Sequence, residues 1–144
     1  MAKETAVAKL EHYDIEAPDK MAQMGNVLRD YVVRQKLYTN IKGKNYAHVE
    51  GWQFAGGLMG LFPVVKEVIN LSGGTETKWE AVVEIIGKDG RVMSRGFAVC
   101  SSKESSKRGF DEYAIMSMAQ TRAIGKAYRN LVGWVMKLAG YEGT

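Results

Sequence analysis

The feature that most constrains the fold is a pair of β-rich runs joined by a short glycine-containing turn. The stretch KWEAVVEIIGKDGRVMSRGFAVCS places Asp89-Gly90 between two runs rich in β-branched residues. This arrangement is typical of a hairpin closed by a two-residue type I′ turn. Because Glu84 and Arg95 carry opposite charges, a register that sets them face to face is favoured. Counting outward from the turn then predicts three pairs: Ile86 with Met93, Glu84 with Arg95, and Val82 with Phe97.

Hydrophobic spacing and turn residues predict the other elements of the chain. A helix is expected from Asp19, a suitable N-cap, to about Lys36, because apolar residues recur between them at helical intervals. In LYTNIKGKNYAHVEG, two short strands are expected around a Lys-Gly-Lys turn. WQFAGGLMGLFP keeps roughly helical spacing despite three glycines, until Pro63 ends it. VVKEVINL is a strand by composition, and a long helix runs from near Asp111 to about Ala139.

The order of these elements predicts an α+β fold. An antiparallel sheet, made of an N-terminal hairpin and a three-stranded meander, is expected to pack against the long C-terminal helix. Residues 1–18 are expected to form a flexible N-terminal arm and residues 19–144 a single domain. The chain has one cysteine and no apolar run of membrane-spanning length. We therefore expect a soluble cytoplasmic protein whose core needs no disulfide.

The long C-terminal helix has an unusual charge distribution. Between Tyr113 and Tyr141 there are four cations and no Asp or Glu, although the whole chain has 16 acidic and 20 basic residues. The net charge of +4 lies entirely in residues 37–144, since residues 1–36 contain six basic and six acidic residues. With 3.6 residues per turn, the helix has a cationic face opposite an apolar face. The cationic face contains Arg122, Lys126, Arg129 and Lys137, and the apolar face contains Tyr113, Ile124, Ala127, Leu131, Trp134, Val135 and Leu138.

Two interpretations of this cationic face follow from the residues alone. Acidic side chains on neighbouring elements can neutralise an ordinary solvated face. Alternatively, a polyanion outside the chain is the counterpart of the cations. The predicted first hairpin adds Lys42 and Lys44, with Tyr38 and Tyr46 nearby. Cations interleaved with aromatic rings suit single-stranded nucleic acid, because phosphates bind the cations and bases stack on the rings.

Several classes of chemistry have no support in the sequence. There is no GxxxxGK[ST] phosphate-binding loop, which excludes the usual nucleotide-driven motors. Two histidines and one cysteine cannot assemble a His/Cys metal site. Glu80 and Glu84 share a strand face but lie about 13 Å apart, which is too far for two-metal nuclease chemistry. We therefore predict a non-enzymatic protein that needs no cofactor.

Four motifs and their order resemble a known family. They are NVLR (26–29), HVEG (48–51), KDG (88–90) and TRAIGKAYRNLVG (121–133). Together with the order of helices and strands, they resemble the Rad-fifty-two superfamily, the single-strand annealing proteins of eukaryotes and many bacteriophages. The likeness covers roughly Gly25 to Gly133. The C-terminal part of the chain looks like a phage or prophage version.

The resemblance implies a ring- or filament-forming homo-oligomer that acts in homologous recombination and DNA repair. Such a protein binds single-stranded DNA and anneals complementary strands without ATP. The last helix of the family lines a groove on the outside of the ring, where Lys126 and Arg129 match its basic contacts to the DNA backbone. Leu61 and Phe62 are candidates for subunit contacts, with burial in the core as the alternative.

Further site residues carry over less directly from the resemblance. Lys42, Lys44 and Tyr46 fall in the hairpin that flanks the family's groove. This sequence departs from the family at His48, where an aromatic ring is expected. It also departs at Gly125, where the family has another cation, and Arg122 can compensate because it lies one turn back on the same face.

The expected partners are single-stranded DNA and further copies of the chain, in the cytoplasm of a bacterium or a phage-infected host. A phage exonuclease or a single-strand-binding protein is a further partner that the resemblance admits, and no membrane partner is expected. Other functions stay open on the residues alone. They are a binding module for structured RNA or duplex DNA, an interaction protein that docks an acidic partner, and a magnesium-dependent nuclease.

Overall fold

The computed structural model describes residues 18–104 and 110–141 and has an α+β architecture. The first two strands form a two-stranded hairpin, the next three form an antiparallel meander in chain order, and the last helix packs against that meander. The predicted fold class is therefore confirmed. In chain order the elements are α1 (Pro18–Arg34), β1 (Tyr38–Ile41), β2 (Lys44–Ala47), α2 (Val49–Met59), β3 (Phe62–Asn70), β4 (Lys78–Ile86), β5 (Val92–Ser101) and α3 (Glu112–Leu138).

The boundaries of the first described element differ slightly from the prediction. Residues 1–17 of the predicted arm lie outside the described residues, and Pro18 is the first residue of α1. Proline suits a first helical turn, because its missing N–H has no intrahelical acceptor there and its φ is already helical. Among the described helices, none combines the length and the apolar character that crossing a membrane requires.

The β4–β5 hairpin has the predicted register along most of its length. Glu84 pairs with Arg95 and Val82 pairs with Phe97, as predicted. Near the turn an irregularity sets Ile86 opposite Val92 instead of the predicted Met93. The connection spans residues 87–91, and it is closed by a 2.9 Å hydrogen bond from Gly87 N–H to the Arg91 carbonyl oxygen. The predicted two-residue turn is therefore wrong.

A type I′ turn occurs in the first hairpin instead. Lys42 and Gly43 separate β1 from β2 and have φ values of 52° and 83°. Positive φ at both central residues is the signature of this turn. The Asn40 side-chain oxygen accepts a 3.2 Å hydrogen bond from Gly43 N–H, and its amide nitrogen donates to the Asn45 side-chain oxygen at 2.9 Å. These contacts fix the hairpin tip, on which two lysines are exposed.

Gly60, and not Pro63 as predicted, ends α2. Gly60 is the C-cap with φ 70° and ψ 33°, and its N–H bonds to carbonyl oxygens in the last turn of the helix. A left-handed residue of this kind stops a helix and turns the chain, and glycine adopts it without steric strain. Pro63 lies inside β3, which is an edge strand of the meander and so tolerates a residue without a backbone N–H.

Small residues bring α3 close to the meander. Ala119, Ala123 and Ala127 recur every four residues along α3 and are fully buried. Opposite them is Gly96 of β5, where an added Cβ would meet the main-chain nitrogen of Ala127 and lie 2.8 Å from the carbonyl oxygen of Ala123. The helix and the strand are thus in main-chain contact. Larger side chains at these positions would force the two elements apart.

The NVLR motif in α1 joins that helix to the end of α3. Leu28 is fully buried in the core. Arg29 donates hydrogen bonds from Nε to the Ala139 carbonyl oxygen at 3.3 Å and from Nη2 to the Leu138 carbonyl oxygen at 3.2 Å. The last carbonyls of a helix have no intrahelical donors and carry partial negative charge. Arg29 therefore caps the C-terminus of α3.

Candidate nucleic-acid interface

A small groove separates α3 from the segment that leads from the first hairpin into α2. Its volume is about 160 Å³. We call it the α3–hairpin groove. Apolar side chains form one side, and α3 supplies the guanidinium groups on the other. The lining residues are Ala47, Val49, Trp52, Thr121, Arg122, Gly125 and Arg129.

Two of the predicted cations on α3 have no counter-ion among the described residues. Lys126 is exposed, Arg129 is half-buried, and neither makes a hydrogen bond or an ion pair within the described part of the chain. Burial lowers the pKa of Arg129 from its ordinary value, and an arginine still remains protonated at neutral pH. Removing a charge from water without pairing it is costly. An external anion at Arg129 would offset that cost.

The expectation of an unneutralised cationic face is wrong at Arg122. Its Nη2 donates to Glu104 Oε1 at 2.6 Å, and its Nη1 donates to Glu104 Oε2 at 2.9 Å. Nη1 also donates to the Val99 carbonyl oxygen at 2.9 Å. A hydrogen bond from Arg122 to the Glu104 carboxylate is the largest of the effects that raise the pKa of Arg122 above its ordinary value. The acid lies three residues after the end of β5, so the composition of α3 gave no indication of it.

The cationic face does not continue straight to the end of α3. Val132 has non-helical angles, φ −128° and ψ 22°, so a kink shifts the phase of the residues that follow. Gly133, which the 3.6-residue periodicity of a straight helix places beside Arg122 and Arg129, is buried, while Lys137 is exposed beyond the kink. The predicted cationic face is therefore not continuous beyond Arg129.

The predicted apolar face of α3 is correct only in part. Ala127 and Val135 are buried as predicted, and Ile124 and Leu131 are half-buried. Tyr113 and Leu138 are exposed instead, with 72% and 47% of their surface accessible. Small alanines of α3 pack against Gly96, so the buried face of the helix differs from the predicted one. It includes further residues that the prediction did not list: Ala119, Ala123, Tyr128, Val132 and Met136.

The hairpin residues predicted for the site lie beside the groove and not in its lining. Lys44 and Tyr46 alternate along β2 with Asn45 and Ala47. Since neighbouring residues of a strand face opposite ways, Lys44 and Tyr46 lie on the face opposite to Ala47, which lines the groove. Lys42 is exposed at the tip of the hairpin. His48 joins β2 to α2, and its Nε2 hydrogen-bonds to the Thr39 hydroxyl at 2.7 Å.

Other residues of the site were missed at the level of sequence. Trp52, almost fully buried, and Thr121, exposed on α3, both line the groove. Trp52 directly follows HVEG, and its place beside that motif was the sequence signal for it. Glu104 contacts Arg122 across 18 residues of sequence, and no local pattern indicates such a contact.

The described residues contain no group of three or more His, Cys, Asp or Glu side chains arranged to hold a metal ion. Glu84, one of the two carboxylates considered for nuclease chemistry, contacts Arg95 at 2.8 Å and Lys66 at 3.4 Å. Although partial desolvation raises it, the hydrogen bonds from Arg95 and Lys66 leave the pKa of Glu84 below its ordinary value. The side chain is an ion-pair partner on the sheet face turned away from α3.

Comparisons with known proteins assign no family to the chain. No protein-family model matches the chain, and a search of curated proteins finds no significant match. The resemblance to the Rad-fifty-two superfamily therefore stays a prediction from the motifs and their order.

Proposed function

We propose that this protein binds single-stranded DNA in the α3–hairpin groove and anneals complementary strands without ATP, as an oligomeric ring or filament acting in homologous recombination. The observation that carries the proposal is Arg129, a half-buried guanidinium with no acceptor among the described residues. Lys126 lies within one turn of it on the same helix and is exposed. A chain of phosphates supplies the repeated negative charge that such a pair binds.

The mechanism of annealing follows from holding the backbone and leaving the bases accessible. A groove of about 160 Å³ has room for a phosphate and part of its sugar, and not for a duplex. With the phosphates on α3, the base edges can pair with a second strand. Each base-pair step formed then contributes about 1.4 kcal/mol of stacking free energy. Pairing drives the reaction, so no covalent chemistry is needed.

Oligomerisation belongs to the proposal because one groove covers only a few nucleotides. Repeating the groove around a ring or along a filament raises the affinity for a long strand by multivalency. Of the two residues considered for subunit contacts, Leu61 is buried in the core, whereas Phe62 is 52% exposed at the start of β3. Phe62 is thus available to a second copy, and Leu61 is not.

A charge-removal experiment tests the groove. Lys126→Ala with Arg129→Ala is expected to weaken the binding of a fluorescent oligothymidylate by at least about tenfold, since charge-assisted hydrogen bonds contribute about 1.5–3 kcal/mol each. The melting temperature should barely change, because neither side chain bonds to another described residue. The binding is measured by fluorescence anisotropy at several salt concentrations.

The matched control removes two positive charges elsewhere. Lys66→Ala with Arg91→Ala changes the net charge equally, and both side chains are exposed members of surface ion pairs of little energetic value. This control should bind nearly as well as the parent protein. Equal losses in the two double variants would mean that only net charge matters, and the groove would not be the site.

Competition separates the proposal from the other functions that the sequence left open. Single-stranded DNA should outcompete duplex DNA and structured RNA, and complementary strands should anneal faster with the protein present. Preference for duplex or structured RNA would indicate a different nucleic-acid module. Cleavage that depends on magnesium would indicate a nuclease, and oligonucleotide affinity independent of salt would indicate an acidic protein partner.

A further inference from the structure

The guanidinium of Arg122 has donors that its ion pair does not use. An arginine carries five N–H groups in one plane. Two Nη1 contacts reach Val99 O and Glu104 Oε2, and one Nη2 contact reaches Glu104 Oε1. The Nε–H and the second Nη2 N–H have no acceptor among the described residues. These two groups lie along one edge of the plane and form a second fork, distinct from the fork that Glu104 occupies.

The partners of Arg122 are themselves held in place. Glu104 Oε2 accepts a 3.1 Å hydrogen bond from Ser101 N–H, and Ser101 is the last residue of β5. Val99 is also in β5, the strand in main-chain contact with α3 at Gly96. The guanidinium is therefore held by three hydrogen bonds, one to Val99 in β5 and two to Glu104, which is itself bonded to the last residue of β5. Such a side chain has little rotational freedom left to lose on binding a ligand.

The position of Arg122 in the groove indicates which class of ligand the second fork would bind. Arg122 and Arg129 both line the α3–hairpin groove, seven residues and so about two turns apart on one helix. A phosphodiester has two non-bridging oxygens, whose spacing matches the paired donors of an arginine fork. A carboxylate on the far edge of the guanidinium is compatible with that contact.

We infer that Glu104 is a positioning residue, which holds Arg122 so that its unused Nε–H and Nη2–H fork binds a DNA phosphate in the groove. This inference rests on the proposed function and deepens it. In this inference the Glu104–Arg122 ion pair strengthens DNA binding, whereas the negative charge of Glu104 alone would weaken it. A carboxylate that merely competed with phosphate for Arg122 would weaken binding, and one that orients the fork strengthens it.

The two roles predict opposite signs for Glu104→Gln, which removes the charge and one oxygen acceptor. Positioning predicts that oligothymidylate binds about three- to tenfold more weakly, with a salt-dependence slope smaller by about 0.7, equivalent to one phosphate contact. The matched control is Glu84→Gln, which changes the net charge equally and also removes an arginine's partner, on the sheet face away from α3. Its affinity should equal or slightly exceed that of the parent protein.

Two further variants separate positioning from a structural effect of Glu104. Arg122→Lys keeps the charge and lacks the fork, so it should lose affinity although Glu104 is present. In an Arg122→Ala background, adding Glu104→Gln should cause no further loss. Melting temperatures, measured on every variant, show whether the fold persists.

The outcomes distinguish this inference from the proposed function. A parent protein that binds oligothymidylate with a salt-dependent affinity, while Glu104→Gln binds equally or more tightly than Glu84→Gln, overturns the positioning role alone. An equal loss from Glu104→Gln with and without Arg122 also overturns it, because Glu104 would then act independently of the fork. A parent protein that does not bind the oligonucleotide overturns the proposed function and the inference together.

Discussion

The phenol of Tyr128 combines full burial with a single hydrogen-bond acceptor. The side chain is 1% exposed, and its hydroxyl group donates to the Leu61 carbonyl oxygen at 3.0 Å. Burial raises the pKa of Tyr128 to about 12, above the ordinary value of 10.0. The protonated form is thus favoured by the folded state. Its contribution to stability is complete below pH 10, where unfolded tyrosine is also protonated, and is lost as pH rises from about 10 through about 12.

This shift predicts a pH dependence that one substitution removes. The free energy of unfolding should fall by about 2–3 kcal/mol on this account between pH 10 and pH 12. Tyr128→Phe should be less stable at neutral pH, because the Leu61 carbonyl loses its donor, and should show a smaller fall at high pH. Urea denaturation at a series of pH values measures both. Tyr113→Phe, at an exposed position, is the control and should keep the parent slope; an unchanged slope in Tyr128→Phe would contradict the assignment.

At the residue scale, two cations of α3 that have no counter-ion among the described residues were predictable from the sequence, and their surroundings were not. Lys126 and Arg129 were predictable because the periodicity of one helix places them on one face, away from most of the apolar residues. The Glu104–Arg122 pair was not predictable, since it depends on where β5 ends relative to α3. A contact between side chains far apart in sequence requires the tertiary packing to be known.

At the scale of elements, the contact between Gly96 and α3 limits the size of the side chain that position 96 can hold. Gly96→Ala places a methyl group against the main chain of Ala127 and Ala123, which must move apart. We expect a loss of stability of about 1–3 kcal/mol or more, the usual cost of overpacking a core. Thermal denaturation measures it.

Gly57→Ala is the matched control for this substitution. An added Cβ at Gly57, in α2, has no atom within 4 Å. The change should be neutral or stabilising by up to about 1 kcal/mol, because alanine favours a helix over glycine. Similar melting temperatures for the two variants would show that α3 and β5 are not in main-chain contact.

Most elements were predictable because the hydrophobic period and the turn residues agree along the chain. The β4–β5 register followed from a charge pair that two-residue periodicity places face to face. The turn between those strands was not predictable, because Asp-Gly also fits longer connections and no local signal marks the register irregularity at Ile86. The kink at Val132 directly precedes Gly133, a residue of low helix propensity, and the predicted helix runs through both positions without a break.

At the scale of the whole molecule, the proposed function requires assembly. We expect light scattering after size exclusion to give a mass several times that of one chain, and a long oligonucleotide to shift the distribution toward larger species. Short oligonucleotides that fill one groove should not cause this shift, since they cannot bridge copies. A mass of one chain with and without the long oligonucleotide would contradict the ring or filament.

The overall architecture was the most predictable property, and the assembly the least. Element order alone restricts the chain to an α+β arrangement, because a meander must cover one face and α3 is the element long enough to do so. No comparable rule predicts which surface residues join one copy of the chain to the next. Exposed apolar residues such as Phe62 and Phe97 lie on the meander, and their sequence neighbours Leu61 and Ala98 are buried.

The first hairpin and the meander are separate sheets, and among the described residues no backbone hydrogen bond joins them. Ala47, in the apolar wall of the groove, belongs to the first hairpin, whereas the wall bearing Arg122 and Arg129 is α3, which packs on the meander. Widening the space between those walls would disturb side-chain contacts and break no rung of either ladder. The groove's width is therefore set by side-chain packing, while the spacing of the two arginines along its α3 wall is set by the rise of a single helix.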